Sequence, residues 1–215
     1  MSFFDFHTHN KASKEKAIIN IFHNEDIIPN KSLSCGIHPW YYNENYKKEI
    51  NTINNLAKSK QIIAIGETGF DPVSPANIEL QKTIFIEHIK ISETYNLPLT
   101  IHCVKYFHIL KDLKKEFKPK QAWIIHSFNS KPEILQDLQR QGFYFSFSNT
   151  IFQIQKKAET IFSYVKAERF FLETDDSELN IENIYLATSK LLNLDIEILK
   201  NQIIKNLKDI GIWLG

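Results

Sequence analysis

Short apolar, β-branched or aromatic runs alternate along the chain with longer stretches whose apolar positions recur at helical spacing. The runs are FFDFH (3–7), LSCGI (33–37), IIAIGE (62–67), PLTIHC (98–103), AWIIHS (122–127), FYFSFS (143–148) and FFLET (170–174), with AIINIF (17–22) as an eighth candidate. Each predicts a strand. Between them, residues 76–95 set Leu80, Ile84, His88 and Ile91 in one helical row. Residues 132–141 begin with Pro132 where a first helical position is expected and are followed by Gly142, just past the end. Helical patterning returns at 181–192 and 196–209. Most strand candidates lie about 20–35 residues apart, the size of a βα unit. Such alternation predicts an α/β fold with a parallel sheet and helices outside it. Seven or eight parallel strands make a (β/α) barrel of TIM type, somewhat distorted, the expected architecture, with residues 1–215 as one domain. An open doubly wound sheet competes with it. No G-x-G-x-x-G or Walker-type loop follows a strand, which weakens the nucleotide-binding form of that competitor.

The polar residues fall where the runs end. The first run ends in His7-Thr8-His9, the second leads into GIHPW (36–40), and the third closes with GETGFD (66–71). His102, His126 and Glu173-Thr174-Asp175 close three of the others, so five of the eight histidines occupy C-terminal strand ends. In a (β/α) barrel those ends share the rim that carries the active site. Side chains two apart on a strand point the same way, with Cα atoms roughly 6.5–7 Å apart. Two imidazoles so placed can converge on one ion at about 2.1 Å each. Asp5 has the same parity as His7 and lies deeper, where it is expected to orient a ligand histidine. An isolated H-x-H reads as well as a pair of satisfied or exposed histidines. The ordered set of His7, His9, Glu67, His102, His126 and Asp175 reads as a metal centre.

Charge narrows the chemistry. The 26 lysines and arginines almost balance 25 acids, so no global positive field draws in nucleic acid. Only Arg140 and Arg169 supply guanidinium forks, so phosphate recognition would fall to lysine, histidine, backbone amides or metal. Cys35 and Cys103 sit in apolar runs and are expected as buried free thiols. No apolar run approaches the roughly 20 residues of a membrane span, and the first residues lack the pattern of a secretory signal. A cytoplasmic protein with no membrane contact and no obligate protein partner is the expectation.

The stretches DFHTHN, GIHPW, AIGETGFD, PLTIHC, WIIHSF and FLETD, in this order and over nearly the whole chain, resemble the TatD family of metal-dependent hydrolases, a branch of the amidohydrolase-type barrels. That resemblance implies two divalent metal ions, with zinc, manganese, magnesium, cobalt and iron all candidates. His7, His9 and Asp175 would hold one ion, Glu67 would bridge, and His102 and His126 would hold the second. It also implies a metal-dependent deoxyribonuclease or phosphodiesterase acting on DNA or another phosphate ester at the barrel mouth. His38 matches a position on the substrate side. The sequence departs from the family pattern at Val104, at Ser127, Asn129 and Ser130 of HSFNS, and at Ser148. None of these is a proposed ligand.

On this reading Asp175 orients the water and takes its proton, Glu67 offers two oxygens to a pair of ions, and His38 donates to a phosphate oxygen or the leaving group. Lys105 and Lys131 stand just beyond two strand ends, as phosphate contacts or as solvated lysines. Glu173 either supports Asp175 or caps its strand, and Trp40 either stacks on a base or packs. His88 is expected to pack a helix on the barrel; His23 and His108 end no motif; Trp123 and Trp213 are expected in the core. Two other functions compete: a hydrolase of amides, esters or phosphomonoesters on the same site, and a catalytically silent metal-binding interaction module.

Overall fold

In the computed structural model, which describes residues 2–213, the alternation runs as β1 (Phe4–Thr8), β2 (Lys16–Ile21), β3 (Ser32–Cys35), α1 (Tyr46–Lys58), β4 (Ala64–Phe70), α2 (Ile78–Tyr95), β5 (Leu99–Cys103) and α3 (Phe107–Phe117). It continues as β6 (Trp123–Ile125), α4 (Pro132–Arg140), β7 (Tyr144–Phe147), α5 (Gln155–Tyr164), β8 (Phe170–Leu172), α6 (Ile181–Leu192) and α7 (Ile196–Asp209). The eight strands follow one another in chain order in one sheet. This is the (β/α) barrel plan, and AIINIF is indeed a strand.

Helices α1, α3 and α5 were not among the anticipated stretches, although each buries a short apolar stripe: Ile50, Ile53 and Ala57 in α1, Ile109, Leu110 and Leu113 in α3, Ala158, Ile161 and Phe162 in α5. With only six glycines in the chain, asparagine takes the left-handed position that ends two helices: Asn96 after α2 (φ +56°) and Asn193 after α6 (φ +48°). At their starts, Asn77 and Asn180 accept backbone N–H bonds with their side chains.

The chain divides into two compact units. Met1–Ile19 with His126–Gly215 forms one, built on an aromatic core. Phe6 stacks on Phe171 with ring centroids 4.4 Å apart, Phe128 meets Phe145 at 5.0 Å, and Phe147 meets Phe162 at 4.8 Å. Fully burying one such ring stabilises a fold by about 1.5–3 kcal/mol. Trp213 does not belong to that core. It is 74% exposed, because Ile210 and Ile212 take the inward positions after α7 and leave the indole outside.

The second unit, Asn20–Ile125, centres on Phe70, Phe85 and the fully buried Trp123, with successive ring centroids 5.0 and 5.4 Å apart. Both thiols are free; Cys35 is buried and Cys103 half-buried. Burial pushes the Cys35 thiol up to about 12 and raises that of Cys103 as well.

Two strands depart from regular pairing. The β1–β2 register shifts between Asp5 and Thr8, and the β4–β5 register shifts between Ile65 and Thr68. Each irregularity falls beside a candidate ligand, His7 in β1 and Glu67 in β4, and such a bulge re-aims a side chain that regular pleating would turn elsewhere.

Candidate metal centre

In the first unit, the end of β1 is tied to the segment after β8. The Asp175 amide donates to His7 O at 2.9 Å and the His9 amide donates to Asp175 O at 3.3 Å. Asp175 takes a left-handed backbone (φ +56°) to do so. Its Oδ1 consequently lies 3.9 Å from His7 Nε2 and 3.8 Å from His9 Nε2. The two imidazoles stand edge to face, with centroids 5.1 Å apart.

Asp5 meets backbone donors, the His7 amide among them. Its carboxylate accepts the Thr174 amide at 2.9 Å and the Thr174 hydroxyl at 2.6 Å, which fixes the residue just before Asp175. Burial pushes this carboxyl up to about 7, against the lowering pull of those donors. His126 follows β6, its ring 4.7 Å from that of His7. Its Nδ1 is 3.5 Å from Oε1 of the fully buried Glu173. Glu173 also accepts the Ser127 amide at 2.5 Å and the Ser146 hydroxyl, so it braces the turn that carries His126.

The second unit holds Glu67, His102 and His38 together. Gly36 and Gly66 make room for this: a Cβ on Gly36 would lie 2.6 Å from Glu67 O, and one on Gly66, at φ +124°, 2.2 Å from Thr100 O. The Glu67 amide donates to Asn20 Oδ1 at 2.9 Å, and the Ser34 hydroxyl donates to the same oxygen at 3.1 Å. His102 places Nδ1 2.9 Å from Glu67 Oε1 and Nε2 2.7 Å from Asp71 Oδ2. Asp71 also accepts the Trp40 indole N–H at 3.0 Å. Burial alone would raise the Asp71 carboxyl, but the Val73 amide, His102 and Trp40 outweigh it and hold it below its ordinary value.

Hydrogen bonding assigns the ring roles. The Trp40 amide donates to His38 Nδ1 at 3.1 Å, so the single proton of a neutral imidazole sits on Nε2. His38 Nε2 lies 3.1 Å from Glu67 Oε1 and 3.3 Å from His102 Nδ1, and it serves there as a donor. His102 meets a carboxylate on each side, with Nε2 at Asp71 and Nδ1 at Glu67. A histidine whose far nitrogen is held by a carboxylate is the usual arrangement of a metal ligand.

These residues fit a metal ion. In each unit, imidazole and carboxylate ligand atoms gather within 4.8 Å of one another: His7, His9 and Asp175, and separately His38, Glu67 and His102. Ligand atoms about 2.1 Å from a shared ion stand roughly 3–4 Å apart. The donor set suits zinc, manganese, iron or cobalt better than magnesium.

The family model described as TatD related DNase matches residues 4–210. The chain belongs to the TatD-related DNase family. An uncharacterized metal-dependent hydrolase of Buchnera aphidicola subsp. Baizongia pistaciae is 37% identical over 154 residues, covering 70% of this chain and 58% of that protein. A 3'-5' ssDNA/RNA exonuclease TatD of Erwinia tasmaniensis is 26% identical over 146 residues, covering 66% and 56%. The chain thus matches less than two thirds of the length of these relatives. The crystal structure of YJJV, a TatD homolog of Escherichia coli, matches with a TM-score of 0.83 over 97% of both chains, at 16% identity, and shares the fold.

Within this TatD-type chain the sequence-derived candidates fall into place unevenly. His7, His9, Asp175 and His126 sit in one unit, and Glu67, His102 and His38 in the other, each group with its polar atoms converging. Lys105 stands exposed at φ +65° after β5, and Lys131 is exposed ahead of α4. Trp40 is half exposed yet anchored by its indole N–H. The departures at HSFNS and Ser148 are accommodated: Ser127, not Ser130, takes the left-handed backbone (φ +44°), and its hydroxyl pairs with that of Ser148 at 2.8 Å.

Three supporting residues escaped sequence reasoning. Asp71 closed a motif without a role. Asn20 was a polar interruption in an apolar run, which is a usable signal. His88 looked like helix packing; it is fully buried, donates from Nδ1 to Ile84 O at 2.8 Å, and accepts the Ile37 amide on Nε2 at 3.0 Å. It therefore fixes the backbone next to His38. Burial pushes its pKa down to about 4, so it stays a neutral acceptor.

Proposed function

We propose that this TatD-family hydrolase cleaves phosphodiesters, with single-stranded DNA or RNA as the substrate class. In this reading His7, His9, Glu67, His102, His126 and Asp175 are the ligands of two divalent ions. The observation that carries it is the convergence of imidazole nitrogens and carboxylate oxygens in both units, above all at His102, whose Nδ1 faces Glu67 while Asp71 holds its Nε2. The name of the Erwinia relative supports the nucleic-acid substrate.

When bound, the ions supply Lewis-acid polarisation of the phosphoryl group and lower the pKa of water. The chain's own residues do the rest. Asp175, held between His7 and His9 by two backbone bonds, takes the proton of the attacking water on its free carboxylate oxygen. His38, with its proton on Nε2, donates to a phosphoryl oxygen, as its Trp40-fixed tautomer requires. The arginines take no part. Arg140 is exposed and pairs with Asp137, and Arg169 lies over the Tyr144 ring. Lys105 is left to contribute a weak, solvent-screened phosphate contact.

The test is hydrolysis by metal-loaded protein of single-stranded DNA, RNA, a phosphomonoester and a simple amide, beside a His7→Ala, His9→Ala control. Cleavage of nucleic acid that vanishes in the control is the expected result. Turnover of the amide or monoester alone would replace this reading with another hydrolase, and full metal occupancy without any turnover would make the chain a binding module.

A further inference from the structure

Beside His38, the second unit contains a cavity of about 510 Å³ to which none of the six proposed ligands contributes. Its volume is that of a small-molecule site. Tyr41 and Phe22 form its aromatic wall, ring centroids 5.4 Å apart and edge to face, and Tyr41 is 53% exposed. Its charged wall is acidic: Glu25 and Glu49 line it, and no lysine or arginine does. A phosphate would be repelled there, whereas a neutral ring carrying hydrogen-bond donors would be received.

Glu49 is the directing group. It sits in the first turn of α1. Its Oε1 takes a long 3.5 Å contact from the Asn43 side-chain amide. Its Oε2 is buried with no hydrogen-bond partner, and His23 Nδ1 is 3.8 Å away, beyond bonding distance. With Oε2 sealed from solvent, Oε1, held only by that long contact, is the carboxylate oxygen left to accept a donor from the cavity.

We propose that this cavity is the nucleobase subsite of the phosphodiesterase, and that it selects bases bearing an exocyclic amino group. The inference rests on the function proposed above. The base stacks on Tyr41, as bases do on exposed aromatic rings, while its phosphate meets His38 at the cavity edge. Glu49 accepts from the amino group of cytosine, adenine or guanine. Thymine and uracil present only a single N–H flanked by two carbonyl oxygens, which a carboxylate repels. The acidic wall thus becomes a filter on the base rather than an obstacle to the substrate.

The experiment uses the full metal-loaded chain on oligodeoxynucleotides that differ only in the nucleotide at the scissile end. Wild type is expected to favour dG, dC or dA over dT by about tenfold in kcat/KM, the size of one good base-edge contact. Glu49→Gln and Glu49→Ala should each collapse that ratio to near one, while turnover of a simple dialkyl phosphodiester without a base stays unchanged. Tyr41→Ala should raise KM for all four ends alike and keep the ratio. Equal kcat/KM for all four ends in wild type, or a preference that survives both Glu49 variants, overturns the inference. Binding is read separately by NMR titration of metal-free protein with dCMP and dTMP, where dCMP should bind more tightly in a Glu49-dependent way. Loss of all oligonucleotide cleavage with metal bound would sink the phosphodiesterase reading. The titration alone would then decide the subsite, and equal or absent binding of the two nucleotides would overturn it.

Discussion

The two candidate ligand sets are built by opposite means. Around Asp175, neighbouring backbone does the positioning: His7 and His9 lie two apart, and two main-chain bonds hold Asp175 against them. Around His102, side chains from distant positions do it. Asp71 meets the ring Nε2, Asn20 takes the Glu67 amide from 47 residues away, and His88 takes the Ile37 amide from 51 residues away. The first set is rigid because two of its members share one strand end and main-chain bonds tie the third to it. The second is rigid only while a buried polar network remains complete, and such networks fail when one member is lost.

The largest test of the contrast removes the first set. His7→Ala with His9→Ala should cut hydrolysis by about a thousandfold or more and lower the bound metal from two equivalents to one, read by elemental analysis. Retention of both equivalents would mean that the sets are not independent. Next in size is the support of the second set. The folded pKa of His88, about 4, lies below its ordinary value of 6.5. The unfolded chain therefore binds a proton between those pH values that the folded chain refuses. The contribution of His88 is complete above pH 6.5 and falls by roughly 3 kcal/mol as pH drops toward 4. His88→Gln should flatten that part of the pH dependence of urea unfolding, and an unchanged slope would remove His88 from the account.

Smaller still is Asp71→Leu. Freeing the far nitrogen of His102 should weaken metal affinity or activity by about 10–100-fold, and should shift Trp40 fluorescence because the indole loses its acceptor. A variant with the fluorescence shift but full affinity would make Asp71 an anchor for Trp40 alone. Smallest is Lys105→Ala, an exposed cation. It should raise KM by less than about threefold, and the change should shrink with added salt.

Legibility in the sequence followed the same divide. H-x-H, GETG and ETD could be read directly because strand ends in a (β/α) barrel collect chemistry at fixed places along the chain. Strand ends were read less well: IIAIGE was expected over 62–67, whereas β4 runs Ala64–Phe70. Its irregular register near Glu67 breaks the alternation on which such boundaries depend. Trp213 shows the limit for the core, since an aromatic near an apolar helix carries no mark of the side on which the chain leaves it. His38 shows the limit for roles. Its place beside the pocket was legible, and its proton position was not.

What the sequence determined by itself was the order of the strands, the barrel plan and the gathering of candidate ligands at strand ends, because periodicity and strand-end position are local properties. What only the tertiary structure decided was which nitrogen of each histidine faces its carboxylate, and which buried groups hold it there. Those choices follow from single hydrogen bonds between residues tens of positions apart: Asp71 to His102, Asn20 to Glu67, His88 to Ile37. No local pattern encodes a partner at that distance.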